Sequence, residues 1–525
     1  MKPVETLVLL MVVVVGVVLV GRRLKIPYPI ALVIAGLGIS LIPGIPAIRI
    51  DPDIIFLVFL PPLLYAAAWF TSVHDFKANL RPILLLAVGL VLFTTAAVAF
   101  VVHALIPEIP WAVAFALGAI VSPPDAVAAT SIARRIGLPK RIVTILEGES
   151  LVNDATGLVA LRFAVVAAAS GTFSIGQATL QFISVAAGGL LLGLVVGFVF
   201  ERIARLLEED LLTITLSLLA PYAAYLPAER LHVSGVLAAV AAGVYGGWRA
   251  PEVLSASVRL SANAVWELLV FLLNCVVFVL IGLQLPEVRA GLGHHSLGEL
   301  IWYGVIVSAL VIVVRPIWVF PVAWLSRLSK RVRTRDPMPP WQAIAVISWC
   351  GMRGVVSLAA ALALPMTLAD GRPFPERDLV LFLTFCVILA TLVLQGLSLP
   401  WLVKFLGVKD SRDDTHERQT RAHLAEAALK HLGELAGKEN ANAAALRRIS
   451  EMYEDRVRHL NDHLAEVLGW SDDRHRLIET RRLWREAIAA ERRALLQLRR
   501  EARVEEELVH QLEREMDLEE TRLKV

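Results

Sequence analysis

About thirteen stretches of this chain are apolar over roughly the 20 residues that a helix needs to cross a hydrocarbon core. They fall near 4–20, 28–44, 53–72, 82–107, 111–132, 142–171, 176–205, 211–226, 232–249, 262–285, 299–328, 341–368 and 378–407. In that environment no water satisfies backbone N–H and C=O groups, so each stretch must close its own hydrogen bonds as a helix. The expected fold is therefore all-α: a polytopic membrane protein of about thirteen transmembrane helices. Composition agrees, because 57% of the 525 residues are hydrophobic where soluble domains hold roughly 45–50%. A net charge of +3 is too mild to imply nucleic acid as a partner. The first stretch lacks a basic leader and a small-residue cleavage site, and it reads as a retained span.

Charge in the loops tests the count. Taken alternately, one set of loops carries eighteen Lys and Arg residues and the other five. Cytoplasmic loops are the basic ones, so the N-terminus is expected outside and the C-terminal tail in the cytoplasm, with the plasma membrane as the location. Composition changes abruptly near Lys409, which divides the chain into a transmembrane domain over 1–408 and a cytoplasmic helical tail over 409–525. In the tail, Trp484, Ile488, Leu495, Leu498, Ala502, Val509, Leu512 and Met516 keep an approximate heptad stripe broken by Glu491 and Glu505. That pattern fits an amphipathic bundle or coiled coil, with a regulatory or dimer-supporting role as the sharper alternative. Cys275, Cys350 and Cys386 lie in apolar segments without a CxxC pair, so neither a disulfide framework nor a zinc site is expected. His294 and His295 share an outer loop and read as a solvated pair. Gly189, Gly193 and Gly197, at four-residue spacing, mark a close helix contact.

Polar residues inside the apolar stretches carry the functional argument. An ionised group at membrane depth costs about 2.5–3.5 kcal/mol even on lenient insertion scales. The run Glu147-Gly-Glu149-Ser150-Leu-Val-Asn153-Asp154 enters the sixth stretch. Helical spacing places Ser150 one turn from Asp154 and Glu149 one turn from Asn153. One face thus offers hydroxyl and carboxylate oxygens to a hard cation, with Asp154 the leading ion and proton ligand. In the fifth stretch Ser122-Pro123-Pro124-Asp125 interrupts the helix, because consecutive prolines remove two backbone donors beside a carboxylate. In the twelfth, Gly351-Met352-Arg353-Gly354 sets a cation between two glycines. Broken helices at mid-depth line cavities or binding sites, and two breaks seven segments apart fit inverted repeats with crossing broken helices. Glu149 and Arg353 carry the opposite charges expected of a buried structural pair.

These motifs, together with Phe59-Leu60-Pro61-Pro62 and with Trp266, Glu267 and Asn274, resemble the CPA1 cation/proton antiporters, bacterial NhaP-type and eukaryotic NHE-type. The resemblance covers roughly 5–407. It implies a secondary transporter rather than an enzyme, with a dimer domain, a mobile core domain and no cofactor. It implies exchange of Na+, or K+ or Li+, for H+, serving pH and cation homeostasis. Asp154 matches the family's ion-binding aspartate, Asn153 its partner and Ser150 a further ligand. Asp125 and Arg353 match the crossover residues, and Glu149 the acid paired with that arginine. Asparagine at 153, where an electrogenic sister group has a second aspartate, implies electroneutral exchange. Two positions depart from the pattern: Tyr65-Ala66-Ala67 where many relatives have an acid, and Pro124 where many have threonine. K+-selective exchange therefore stays open.

Three rival readings are weaker. A cation channel needs rings of ligands around a pore. An intramembrane aspartyl protease using Asp125 and Asp154 needs a substrate gate and a signature that is absent. An anion exchanger built on Arg353 is disfavoured by the neighbouring acids. Arg162, two turns beyond Asp154, reads as reaching another helix or the interface.

Overall fold

The computed structural model describes residues 3–42, 55–170, 175–284, 286, 292, 296–328, 334, 338–368, 372–408, 414–436, 443–461, 474–501 and 503–524. Every apolar window contains helix, as a backbone without water requires. In chain order these are α1 (Pro3–Leu24), α2 (Tyr28–Ser40), α3 (Leu60–Trp69), α4 (Val73–Ala78), α5 (Leu80–Leu84), α6 (Val91–Leu105), α7 (Trp111–Val121), α8 (Ala126–Ile136) and α9 (Lys140–Ser170). There follow α10 (Ile175–Ala204), α11 (Asp210–Arg230), α12 (Gly235–Val253), α13 (Ala256–Leu283), α14 (Leu297–Leu325), α15 (Trp341–Trp349), α16 (Val355–Leu362), α17 (Arg377–Ala390) and α18 (Gly396–Leu406). The tail forms α19 (Asp414–Ala436), α20 (Ala443–Asn461), α21 (Arg474–Arg500) and α22 (Glu506–Lys524). Among the described residues, seven helices are each long and apolar enough to cross a membrane, and three shorter apolar helices accompany them. The expected pair His294 and His295, and Ala502 of the tail stripe, lie outside the described residues.

Wide π-helical turns at Ile55–Phe59, Leu85–Leu90 and Thr391–Gln395 lead into α3, α6 and α18. Each inserts a residue into an otherwise regular helix. The longest helix, α9, has 31 residues, or roughly 46 Å at the rise of an α-helix. That exceeds a hydrocarbon core of about 30 Å, so α9 either tilts or projects beyond it.

The chain forms two compact units. The first comprises Met1–Val253 and Ala264–Asp410. Its interior includes a cluster in which α9 contributes Leu151 and Ala155 against Leu60 and Leu64 of α3 and Val236 and Val240 of α12. Its apolar side chains also face outward, as a lipid-exposed surface requires: Leu180, Leu191 and Val195 of α10 are 73%, 64% and 58% exposed. The glycine stripe of α10 does what its spacing predicts. A Cβ on Gly189 would lie 2.4 Å from the Ser234 carbonyl oxygen, and one on Gly193 2.2 Å from that of Ala238. Close backbone approach of this kind stands in for the hydrophobic drive that lipid cannot supply.

The second unit comprises Leu254–Asn263 and Ser411–Val525. The tail stripe is its core: Ile488, Leu495, Val509, Leu512 and Met516 are buried. Glu491, which interrupts the stripe, is buried as well. Asp517 accepts Arg492 at 2.9 Å and Arg259 at 2.6 Å, so a buried acid there is neutralised by two guanidinium groups.

The α10–α12 contact yields a direct test. Gly193→Leu drives a branched side chain into the Ala238 backbone, an overpacking that costs about 1–3 kcal/mol. The expected result is a lower melting temperature for the purified protein in detergent, read by intrinsic fluorescence; an unchanged melting temperature would contradict the contact.

Candidate functional site

Two helices stop and restart inside the apolar body of the first unit. The helix α7 ends at Val121 and α8 begins at Ala126, while α15 ends at Trp349 and α16 begins at Val355. The expected breakers, Pro123 and Pro124 in one case and Gly351 and Gly354 in the other, occupy these gaps. The breaks touch: the backbone N–H of Asp125 donates to the carbonyl of Met352 at 2.7 Å. Unwinding frees carbonyls that must find donors. The carbonyl of Ala119 accepts Ser122 Oγ at 3.2 Å, Val121 accepts Arg353 Nε at 2.8 Å, and Ser122 accepts Arg353 Nη2 at 3.2 Å. Asn153 Nδ2 donates to the carbonyl of Pro124 at 2.7 Å.

Charges sit where the half-helix dipoles call for them. Asp125 lies at two N-terminal ends: its Oδ1 accepts the Val127 N–H of α8 at 2.8 Å, and the Val355 N–H of α16 reaches the same carboxylate. Glycine at 354 is required by that approach, since a Cβ there would fall 1.7 Å from Asp125 Oδ2. Arginines hold the C-terminal ends. Besides its bonds to the end of α7, Arg353 donates Nη1 to the Gly351 carbonyl, and its own N–H donates to Thr391 Oγ1 at 3.0 Å.

The expected Glu149–Arg353 pair is corrected by this geometry. Both oxygens of Glu149 are taken by Arg315 of α14, at 2.5 and 2.6 Å, in a two-pronged ion pair. Arg315 Nε also donates to the Ile347 carbonyl near the end of α15, at 3.0 Å. Glu149, Arg315 and Arg353 are each 1% exposed. A guanidinium can satisfy a carboxylate or several carbonyls but not both with the same donors, and the carbonyls freed by the prolines claim Arg353. Arg315 is not among the residues expected from the motifs, although an arginine inside the apolar window 299–328 is a signal the sequence carries.

With these four charges matched, Asp154 stands apart. It is 6% exposed, and no group among the described residues hydrogen-bonds its carboxylate. It lies near enough to Asp125 for the two carboxylates to repel. Asn153 beside it is fully buried, and its Oδ1 has no partner among the described residues. Ser150, half-buried, stands one turn away on the same helix. Helix α9 comes close to the break because Gly157 leaves room: a Cβ there would lie 2.4 Å from Pro123 Cγ. The side chains of Asp154 and Asn153 thus provide hard oxygen atoms in a buried setting, a donor set suited to an alkali cation or a proton and poorly suited to soft metals.

The remaining singled-out residues have structural surroundings. Arg162 does reach another helix, pairing with Glu229 of α11 at 2.7 Å. Tyr65, standing where many relatives place an acid, stacks on buried Trp266 with ring centroids 5.4 Å apart, and Trp266 Nε1 donates to Ser217 Oγ at 3.2 Å. The cysteines are free thiols.

Crossed helix breaks beside a buried carboxylate define a class of membrane protein, the secondary transporter. The family described as sodium/hydrogen exchanger, transmembrane, matches residues 8–405, and the chain belongs to that family of cation/proton antiporters. It is 37% identical over 426 residues to the sodium, potassium, lithium and rubidium/H+ antiporter of Bacillus pumilus, aligning 78% of this chain with 63% of that protein. The chain therefore spans a little under two thirds of that relative's length. Identity to the uncharacterised Na+/H+ exchanger YjcE of Escherichia coli K12 is 35% over 497 residues, 90% of this chain and 89% of that one. Among solved structures, the sodium proton antiporter MjNhaP1 of Methanocaldococcus jannaschii superposes with a TM-score of 0.57 at 20% identity, over 77% of this chain and 98% of that one. These likenesses place the chain in the NhaP-type CPA1 group that its motifs resemble.

The revised ion pair is open to a mutant cycle. Removing one partner of a buried pair costs about 3–5 kcal/mol, so Glu149→Gln and Arg315→Gln should each lower the melting temperature strongly. The double variant should lose much less than the sum. Exchanging the charges between 149 and 315 should recover part of the stability, while exchanging them between 149 and 353 should recover none.

Proposed function

We propose that this chain exchanges an alkali cation, Na+ or K+ or Li+, for H+ across the plasma membrane by alternating access, one ion for one proton. The observation that carries this reading is the isolation of Asp154: a buried carboxylate without a counter-charge among the described residues, in a cluster whose other charges are matched. Such a group must hold either a proton or a cation to be neutral, and the two compete for the same oxygens. Asn153 Oδ1 and the Ser150 hydroxyl are proposed as further cation ligands, and Asp125 as the acid that tunes the site from the helix crossing. Asn153 adds no charge of its own, which supports an electroneutral cycle. The breadth of cations follows the relative named for sodium, potassium, lithium and rubidium. Pronounced loop-charge asymmetry supports an N-terminus outside and a cytoplasmic tail. A homodimer in the bilayer is proposed as the assembly, with regulation of cellular pH and cation content as the role.

Proteoliposomes with an internal pH dye test the reading. Sodium, potassium or lithium salts should each release an imposed proton gradient, and lower pH should raise the apparent KM for the cation. Asp154→Asn should abolish exchange while keeping the wild-type elution profile and melting temperature. Imposed voltage should leave the wild-type rate unchanged. Near-normal exchange by Asp154→Asn would overturn the site, and a rate that follows voltage would overturn the one-for-one stoichiometry.

A further inference from the structure

Near the helix ends that carry Arg81, Arg141 and Arg327, a cleft of about 80 Å3 lies between α5 with its π-helical extension, α9, α14 and α15. Its walls are aliphatic, formed by residues such as Leu86, Ile145, Val319 and Ile344, while three arginines, Arg81, Arg141 and Arg327, stand in its lining. No acidic residue lines it among the described residues. Arg81 donates Nη2 to the Ser326 carbonyl at the end of α14, but its Nη1 is buried without a hydrogen-bond partner among the described residues. A buried guanidinium nitrogen left unmatched is costly unless a ligand completes it. Arg141 is steered by Nε donation to Asn79 Oδ1 at 3.0 Å, and Arg327 by Nη1 donation to the Ala323 carbonyl at 2.8 Å.

From this geometry we infer that the cleft binds one anionic phospholipid of the cytoplasmic leaflet. Its phosphate lies among Arg81, Arg141 and Arg327, and an acyl chain lies along the aliphatic walls. The commitment to a lipid rests on two complementarities at once. Planar guanidinium forks donate in pairs to the oxygens of a tetrahedral phosphate, and the aliphatic walls beside them have no use for a free anion but fit a hydrocarbon tail. Basic pockets between transmembrane helices on the cytoplasmic side suit such headgroups. The site also bears on the charge cluster, because Ile347 lines the cleft while its carbonyl accepts Arg315 Nε. An occupant therefore braces α14 and α15 beside the Glu149–Arg315 pair and stabilises the fold by mass action. This inference concerns binding and does not depend on the transport reading.

The test uses the full chain, delipidated in detergent, titrated with phosphatidylglycerol, with phosphatidylcholine of the same acyl chains, and with inorganic phosphate. Readouts are the melting temperature and the number of lipids retained in native mass spectrometry. Phosphatidylglycerol should raise the melting temperature and remain at one tight copy per chain, with neither of the other two doing so. Arg81→Gln should weaken that binding about fivefold, and replacement of all three arginines by glutamine should weaken it on the order of a hundredfold. Ala343→Phe, which fills the slot and spares the arginines, should remove the tight copy and keeps the test decisive if the triple variant does not fold. Equal binding of phosphatidylcholine would overturn the headgroup assignment. An equal shift with phosphate would reduce the site to a free-anion site and overturn the lipid. Undiminished retention by Ala343→Phe would place the lipid elsewhere and overturn the cleft.

Discussion

The meeting of two unwound segments in the middle of an apolar body is the constraint on which the rest of the first unit depends. Where Asp125 N–H meets the Met352 carbonyl, four half-helix ends face one another with no bulk water to solvate them. Each end carries a partial charge of about half an elementary unit, and like ends would repel. The chain resolves this with side chains: Asp125 serves two N-terminal ends, and Arg353 and Arg315 serve the C-terminal ones. Glu149 then cancels the second arginine. Small residues make the convergence sterically possible, glycine at 354 for the carboxylate of Asp125 and glycine at 157 for the approach of α9 to Pro123.

This arrangement separates structural charge from functional charge. Removing any of the matched groups leaves an uncompensated partner in low dielectric, so their loss is felt first as instability. Asp154 is different in kind, since no group among the described residues answers it. In the proposed cycle, a framework whose other charges are matched would let the single unanswered one take an exchangeable ion without rebuilding itself for each.

How far the sequence discloses this differs from residue to residue. The helices were legible because burial of backbone polarity in lipid is a local requirement, readable from any window of sufficient length. Both breaks were legible for the same reason: Pro123-Pro124 and the glycines at 351 and 354 act on their own turns. Asp154 and Asn153 stood out as polar residues in an apolar run. The partner of Glu149 was not legible. Arg315 lies 166 positions away, and Arg353 satisfies every local criterion equally well. The choice between them is made by carbonyls exposed only when the two breaks come together, which is a property of the assembled fold. In the tail, the stripe from Ile488 to Met516 announced a buried face, but not that Asp517 would draw two arginines to it.

The unanswered carboxylate of Asp154 also bears on leakage. In the proposed cycle a carrier that crosses empty must take a bare negative charge through its low-dielectric intermediate, whereas one holding a proton or a cation crosses neutral. Each 1.4 kcal/mol of that difference makes the empty crossing about tenfold rarer. Slippage, the return of the carrier without cargo that would let either gradient run down alone, is then suppressed by the same missing partner that makes the site bind. A lysine or arginine supplied to Asp154 would therefore do more than block the site: it would give the empty carrier a neutral path across the membrane.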